Sequence, residues 1–127
     1  MAYRDQTWVT QVEGQDAADM ARPVTGIPTS RATLPSLVVR TAQVAELRPG
    51  LKVLEVGTGT GTGYSTALLC HRLAAGNVIS IEYDAALAAS AAAHLAEAGC
   101  TPVLRGGSWL RTGGGGFRSR GRVGGGA

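Results

Sequence analysis

Apolar residues run almost without a break from Leu51 to Val56, as Leu51, Val53, Leu54 and Val56. Such a run fits a buried parallel strand, whose residues need not alternate polar and apolar. Val78, Ile79 and Ile81, closed by Glu82, predict a second strand, and Thr101 to Arg105 a short third. Between them lie two segments that read as helices. One helix opens at Tyr64, runs through Leu73 towards Ala75 and is stopped by Gly76-Asn77. Another covers Ala85 to Ala98, with Asp84 as its cap and Gly99 at its end. Its alanine content favours the helix and allows close packing on a sheet. Upstream, Leu34, Leu37, Val38, Thr41 and Ala45 form a helical stripe down to Leu47. Thr33 can cap that helix, Pro35 suits its first turn, and Pro49-Gly50 ends it.

The order from residue 51 onward is βαβαβ, about one half of a doubly wound α/β sheet. Residues 31–105 form this partial domain. Residues 1–30 are polar and mixed and read as an N-terminal arm, in which the alternation of QTWVTQV suits a strand or ribbon. Trp8 is read as a core anchor for the arm in preference to part of a substrate mouth.

Composition changes this picture at one end. A chain of 127 residues with 44% hydrophobic content has room for one domain with a core. Its formal net charge of +3 is unevenly placed. Residues 1–105 carry eight Lys+Arg against nine Asp+Glu, whereas residues 106–127 carry four arginines, ten glycines and no acid. Such a tail cannot offset its ordering entropy and is expected to be disordered. Trp109 and Phe117 are its only aromatic residues and it has no repeat, so it is not read as a nucleic-acid site.

Residues 85–93, the longest run of small apolar residues, are broken by Ser90 and fall far short of a membrane span. The N-terminus has no apolar signal region, so a cytoplasmic protein is expected. Cys70 and Cys100 lack CxxC spacing and are expected as reduced thiols. His71 and His94 have no ligand-like companions, so no metal site is expected.

The candidate chemistry lies where the first strand meets its helix. Gly57, Thr58, Gly59, Gly61 and Gly63 belong to a loop that can turn sharply and approach a ligand closely. It opens onto a helix N-terminus, where N–H groups and the positive end of the dipole collect. Glu82 follows Gly57 by 25 positions, at the end of the second strand. An acid there can accept hydrogen bonds from both ribose hydroxyls of a nucleoside. Standing alone it would read as a solvated strand end; the glycine loop makes it a site residue, with Tyr83 beside it. Glu55 suits a cationic ligand end, either directly or by ordering the loop and water. No Gly-Lys-Ser/Thr follows, which disfavours a phosphate-binding P-loop. A dinucleotide-binding strand usually presents an apolar residue where Glu55 stands, and the G-x-G-x-x-G fingerprint is only partly met because Thr62 follows Gly57-x-Gly59, so a nicotinamide-dinucleotide domain is the weaker reading.

VLEVGTGTG followed by Gly-Tyr resembles the first motif of S-adenosylmethionine-dependent methyltransferases, in particular the protein-L-isoaspartate O-methyltransferase family. PTSRATLPSLVV and NVISIEYD are similar to that family in order and spacing. The closest likeness is to the branch that accompanies ATP-grasp peptide maturation systems. The resemblance covers roughly residues 3–105. It implies a truncated Rossmann-like methyltransferase fold and S-adenosyl-L-methionine as cofactor. The substrate it implies is a protein or peptide carrying an aspartyl or isoaspartyl carboxylate. Glu82 and Tyr83 would hold the nucleoside, Glu55 and the loop the methionine end, and Thr33 the substrate.

Three departures are visible. The loop has one Gly-Thr unit more than the family's GTGTGY. Arg31 replaces a small hydroxyl residue and either meets a substrate carboxylate or is solvated. Gly107-Ser108-Trp109 stands where the family has an acid facing the adenine, and every later motif is missing. The abrupt change at residue 106 is what a shift of reading frame in a GC-rich gene produces. A non-catalytic remnant that binds a ligand or partner is therefore the alternative reading, and self-association through an exposed strand edge is expected.

Overall fold

The structure, a computed structural model, describes residues 4–58 and 61–106. The tail expected to be disordered lies outside them apart from Gly106, and so do Gly59 and the sequence Gly107-Ser108-Trp109.

Three parallel strands form the main sheet in the order β4-β5-β6: β4 is Val53–Val56, β5 Val78–Glu82 and β6 Val103–Gly106. Helix α2 (Tyr64–Leu73) connects β4 to β5, and α3 (Ala85–Glu97) connects β5 to β6. This is the expected βαβαβ unit. The third strand begins two residues later than its sequence suggests and continues to Gly106. Helix α2 stops at Leu73, and a short 3-10 turn at Ala75–Asn77 leads into β5. The Asp84 side chain accepts from the N–H groups of Ala86 and Leu87, which fixes the start of α3 as its sequence predicts.

The register decides which residues are covered. Leu54, Ile79 and Val103 pair across the sheet, as do Val56, Ile81 and Arg105, so these share one face. Val53, Val78 and Ser80 point to the other. That second face is the covered one. Cys70, Leu73 and Val78 form a buried cluster, with Leu47, Val53, Leu69 and Cys100 packed around it. Leu87, Ala91 and Leu95 of α3 complete the core. The first face is bare: Leu54 is 62% exposed and Val56 78%. The expectation that Leu51, Val53, Leu54 and Val56 form a buried strand is therefore corrected: Val53 packs on the core, and Leu54 and Val56 are exposed. A doubly wound sheet needs helices on both faces, and the described residues supply them on one. The outer edge of β4 likewise has no strand partner among the described residues.

The N-terminal arm is more ordered than expected. Strand β1 (Trp8–Val12) pairs antiparallel with β2 (Gln15–Asp16) on one side and β3 (Pro28–Ala32) on the other. Residues 28–32 thus form a strand across the expected boundary at residue 30. Trp8 lies at the end of this small sheet and is 41% exposed, so it is not a core anchor. Two contacts tie the small sheet and its leading segment to the rest of the chain. Gln11 Nε2 donates to Asp84 Oδ2, and the Asp5 carboxylate accepts from the Ser36 N–H at 2.8 Å.

That second bond corrects the capping expectation. Helix α1 (Pro35–Val44) has Leu34 at its N-cap, with no hydrogen bond from the cap side chain. Thr33 stands one position too early, and Asp5, distant in sequence, meets the first turn instead. At its other end, Arg72 Nε and one terminal guanidinium nitrogen donate to the Leu47 carbonyl, both at 3.2 Å. This joins the segment after α1 to the last turn of α2.

Candidate functional site

The ladder between β4 and β5 continues one step past β4, where the Gly57 N–H donates to the Ile81 carbonyl at 2.7 Å. Gly57 then takes a φ of +85°, a left-handed conformation that side chains resist. A Cβ there would meet nothing within 4 Å among the described residues, so the backbone of this turn is uncovered by them. Gly63, at the far end of the loop, has the opposite surroundings. Its φ is +70°, and a Cβ would stand 2.9 Å from Leu95 Cγ. The loop thus turns freely at its start and presses on α3 at its end. His94 of α3 adds a polar contact, with Nδ1 3.0 Å from the Gly61 carbonyl. A carbonyl can only accept, so Nδ1 carries the proton in this contact.

Glu55 occupies the covered side of β4, next to the start of α2. Its Oε1 accepts from the Ser65 hydroxyl, and its Oε2 from the hydroxyls of Thr66 and Ser80. Three hydroxyls from two other elements thus converge on one carboxylate. Glu55 thereby joins the first turn of α2 to the middle of β5. The start of α2 is also secured by Thr62, whose hydroxyl accepts from the Tyr64 N–H at 3.2 Å. One of the N–H groups at the helix start is thus already engaged.

Glu82 ends β5 and is only 8% exposed. Its Oε2 accepts from the Thr58 N–H at 3.3 Å and its Oε1 from the Asp84 N–H at 3.1 Å. An ionised carboxylate has about four acceptor positions, so these two bonds hold it while leaving each oxygen able to accept again. Tyr83 follows it and is 63% exposed.

A cleft of about 1080 Å³ separates α1 from the β4 edge and α2. Thr33, Glu55, Gly57, Thr62, Tyr64 and Ser65 are among its lining residues. Thr33 therefore faces the same space as the first turn of the loop. Glu82 and Tyr83 are not among the lining residues, so the expected site residues fall into two groups on either side of Gly57-Thr58. Arg31, in β3, is exposed and is not part of the lining either.

Sequence reading missed Ser65, Thr66 and Ser80, which hold Glu55, and Gln11 and Asp5, which dock the N-terminal segment. An isolated hydroxyl residue in a helix or strand has no signature of its own. Only the strand register, which sets Ser80 opposite Glu55, reveals its partner. Among the described residues no group of three or more His, Cys, Asp or Glu side chains can hold a metal ion. Cys70 and Cys100 are free thiols. Burial first, then the neighbouring Cys100 and Glu55, push the Cys70 thiol up to about 11. Among the described residues no helix is long and apolar enough to cross a membrane.

Comparison with known proteins gives this arrangement a family. The family model described as protein-L-isoaspartate(D-aspartate) O-methyltransferase matches residues 7–113. A protein named protein-L-isoaspartate O-methyltransferase from Koribacter versatilis (strain Ellin345) is 49% identical over 69 residues, which are 54% of this chain and 29% of that relative. A solved structure of the same name superposes with a TM-score of 0.60 at 24% identity, covering 84% of this chain and 30% of that one. At that identity the superposition establishes the fold. The chain spans about three tenths of the length of these relatives.

Proposed function

The chain belongs to the protein-L-isoaspartate(D-aspartate) O-methyltransferase family, and from that premise we propose that residues 31–105 are the nucleoside-binding part of a protein carboxyl methyltransferase that uses S-adenosyl-L-methionine. One observation carries the reading. Gly57 makes a left-handed turn that no described residue covers, and the next residue, Thr58, holds the Glu82 carboxylate through its N–H. A close-approach turn and a half-saturated buried carboxylate side by side suit a nucleoside with two vicinal hydroxyls.

The residues present fit the cofactor in kind. Glu82 would accept from the ribose hydroxyls, with Tyr83 beside it. Gly57, Thr58, Gly59, Gly61 and Gly63 would pass along the methionine end, and Glu55 would keep the start of α2 in place through Ser65 and Thr66. When bound, the cofactor supplies an electrophilic methyl group. The substrate is an aspartyl or isoaspartyl carboxylate of a protein or peptide, ionised at neutral pH and already a nucleophile. The chain's task is then mainly positioning. Thr33 faces the cleft at the mouth of the loop and would donate a hydrogen bond to that carboxylate. The setting is cytoplasmic.

A second reading has its own support. The bare face of β4-β5-β6 and the unpartnered edge of β4 leave one wall of the expected site without residues among those described. On this reading the chain is a remnant that binds a ligand or another copy of itself and transfers methyl groups poorly. Transfer of labelled methyl to an isoaspartyl peptide separates the two. Multiple turnovers by a stable monomer support the enzyme; ligand binding without turnover supports the remnant.

A further inference from the structure

Ser80 stands in the middle of β5, directly opposite Glu55, and is fully buried. A serine offers a covered sheet position almost no apolar surface, and its hydroxyl must be satisfied there. Its Oγ donates to Glu55 Oε2 at 2.7 Å and lies 2.9 Å from Thr58 Oγ1. A hydroxyl has a single proton. With that proton on the carboxylate, Ser80 accepts from the Thr58 hydroxyl. Thr58 is itself buried, and its N–H reaches Glu82. Glu55, Ser80, Thr58 and Glu82 therefore form one unbroken polar chain beneath the first turn of the glycine loop.

We propose that Ser80 is a positioning residue for the nucleoside. Its hydroxyl passes the fixed position of Glu55 to Thr58, and Thr58 in turn aims the Glu82 carboxylate. The proposal rests on the reading of the loop and Glu82 as a nucleoside site and extends it to a residue that touches no ligand. The physical need is specific. Gly57 has no side chain to pack, so the turn must be held at the residue after it. The buried Thr58 is gripped twice, by its hydroxyl and by its N–H. That fixes the turn before the ligand arrives and lowers the ordering cost of binding. Buried hydrogen-bonded groups of this kind act as a unit.

Ser80→Ala removes the hydroxyl and leaves Ser65 and Thr66 on Glu55. Thr58→Val removes the partner hydroxyl while keeping the shape. Two quantities are measured in the full chain: exchange of the Thr58 amide without ligand, relative to the Leu95 amide in α3, and the Kd for S-adenosylhomocysteine. In either variant the Thr58 amide should exchange about tenfold faster relative to Leu95, and the Kd should rise about tenfold, as for the loss of one buried hydrogen bond in a charged network. The double variant should be no worse than the worse single one, because both break the same chain. Unchanged Thr58 exchange in both variants, or multiplying losses in the double variant, overturns the proposal. Failure of the nucleoside reading looks different: the unaltered chain binds no S-adenosylhomocysteine, while Ser80→Ala still loses Thr58 protection.

Discussion

Gln11 Nε2 donates to Asp84 Oδ2 at 3.3 Å, across 73 positions of sequence. The Gln11 amide is held at its other end too, where Oε1 accepts from the Thr29 hydroxyl at 2.8 Å. Gln11 is buried despite its polarity, because β1, β3 and the start of α3 meet around it. Asp84 thus has two duties: it caps α3 and receives the N-terminal sheet beside Glu82.

Replacing Asp84 tests both duties. Asp84→Ala should lower stability by about 1 kcal/mol or more, the usual loss for an N-cap, read from urea unfolding. The Leu87 N–H first, then the Gln11 amide, hold the Asp84 carboxyl below its usual range. A carboxyl lowered in the folded state contributes stability above its unfolded pKa and loses it as pH falls through the folded one. Native stability should therefore decline from about pH 4 downward, and Asp84→Ala should flatten that decline.

Gly57 and Gly63 both need a left-handed backbone, yet they should respond differently to a methyl group. Gly57→Ala should cost about 1–2 kcal/mol from conformation alone. Gly63→Ala adds a collision with Leu95 Cγ at 2.9 Å, worth about 1–3 kcal/mol more. Unfolding midpoints should rank Gly63→Ala as the less stable of the two. Nucleoside affinity should fall in Gly57→Ala beyond what its stability explains, because its new methyl enters the open side of the turn.

The bare face of the main sheet should make the isolated chain self-associate. Leu54 and Val56 are exposed on a strand whose outer edge is unpaired among the described residues, a combination that recruits other chains. Light scattering should show oligomers that grow with concentration. Val56→Lys should reduce them, and a strictly monomeric unaltered chain would refute this.

Cys70 should stay a thiol at neutral pH. Its pKa of about 11 comes first from burial, and the thiolate is the reactive form. Iodoacetamide should label Cys100 in the folded chain and spare Cys70 until unfolding, as counted by mass spectrometry. Since the folded value is raised, the linked stability is present below the ordinary thiol range. It is lost as pH rises from about 8.5 through the folded value.

Much of the fold was legible in the sequence. The βαβαβ order followed from apolar strand runs alternating with helical segments bounded by glycine, and the second of those helices from Asp84 standing before an alanine-rich run. The three-stranded N-terminal sheet was less visible. PTSRA has a proline and little apolar content, and it is a strand because Trp8–Val12 pairs with it. The true partner of the α1 start was hidden for a similar reason, since Asp5 reaches Ser36 only in three dimensions. Burial of Leu54 and Val56 was misjudged because an apolar run records the covering that a complete doubly wound sheet requires. At the candidate site, Glu55 and Glu82 stood out by type and spacing. Their internal partners did not, because serine and threonine are common at helix starts and in strands.

If Gly57, Thr58 and Glu82 form a nucleoside site for S-adenosylmethionine, calorimetric titration of the full chain with S-adenosylhomocysteine, and separately with NAD, will show it. S-adenosylhomocysteine should bind more tightly than NAD, and Glu82→Ala should weaken it by about 1–3 kcal/mol, as for lost hydrogen bonds to a charged group. Preference for NAD, or equal S-adenosylhomocysteine binding by Glu82→Ala, would contradict the account.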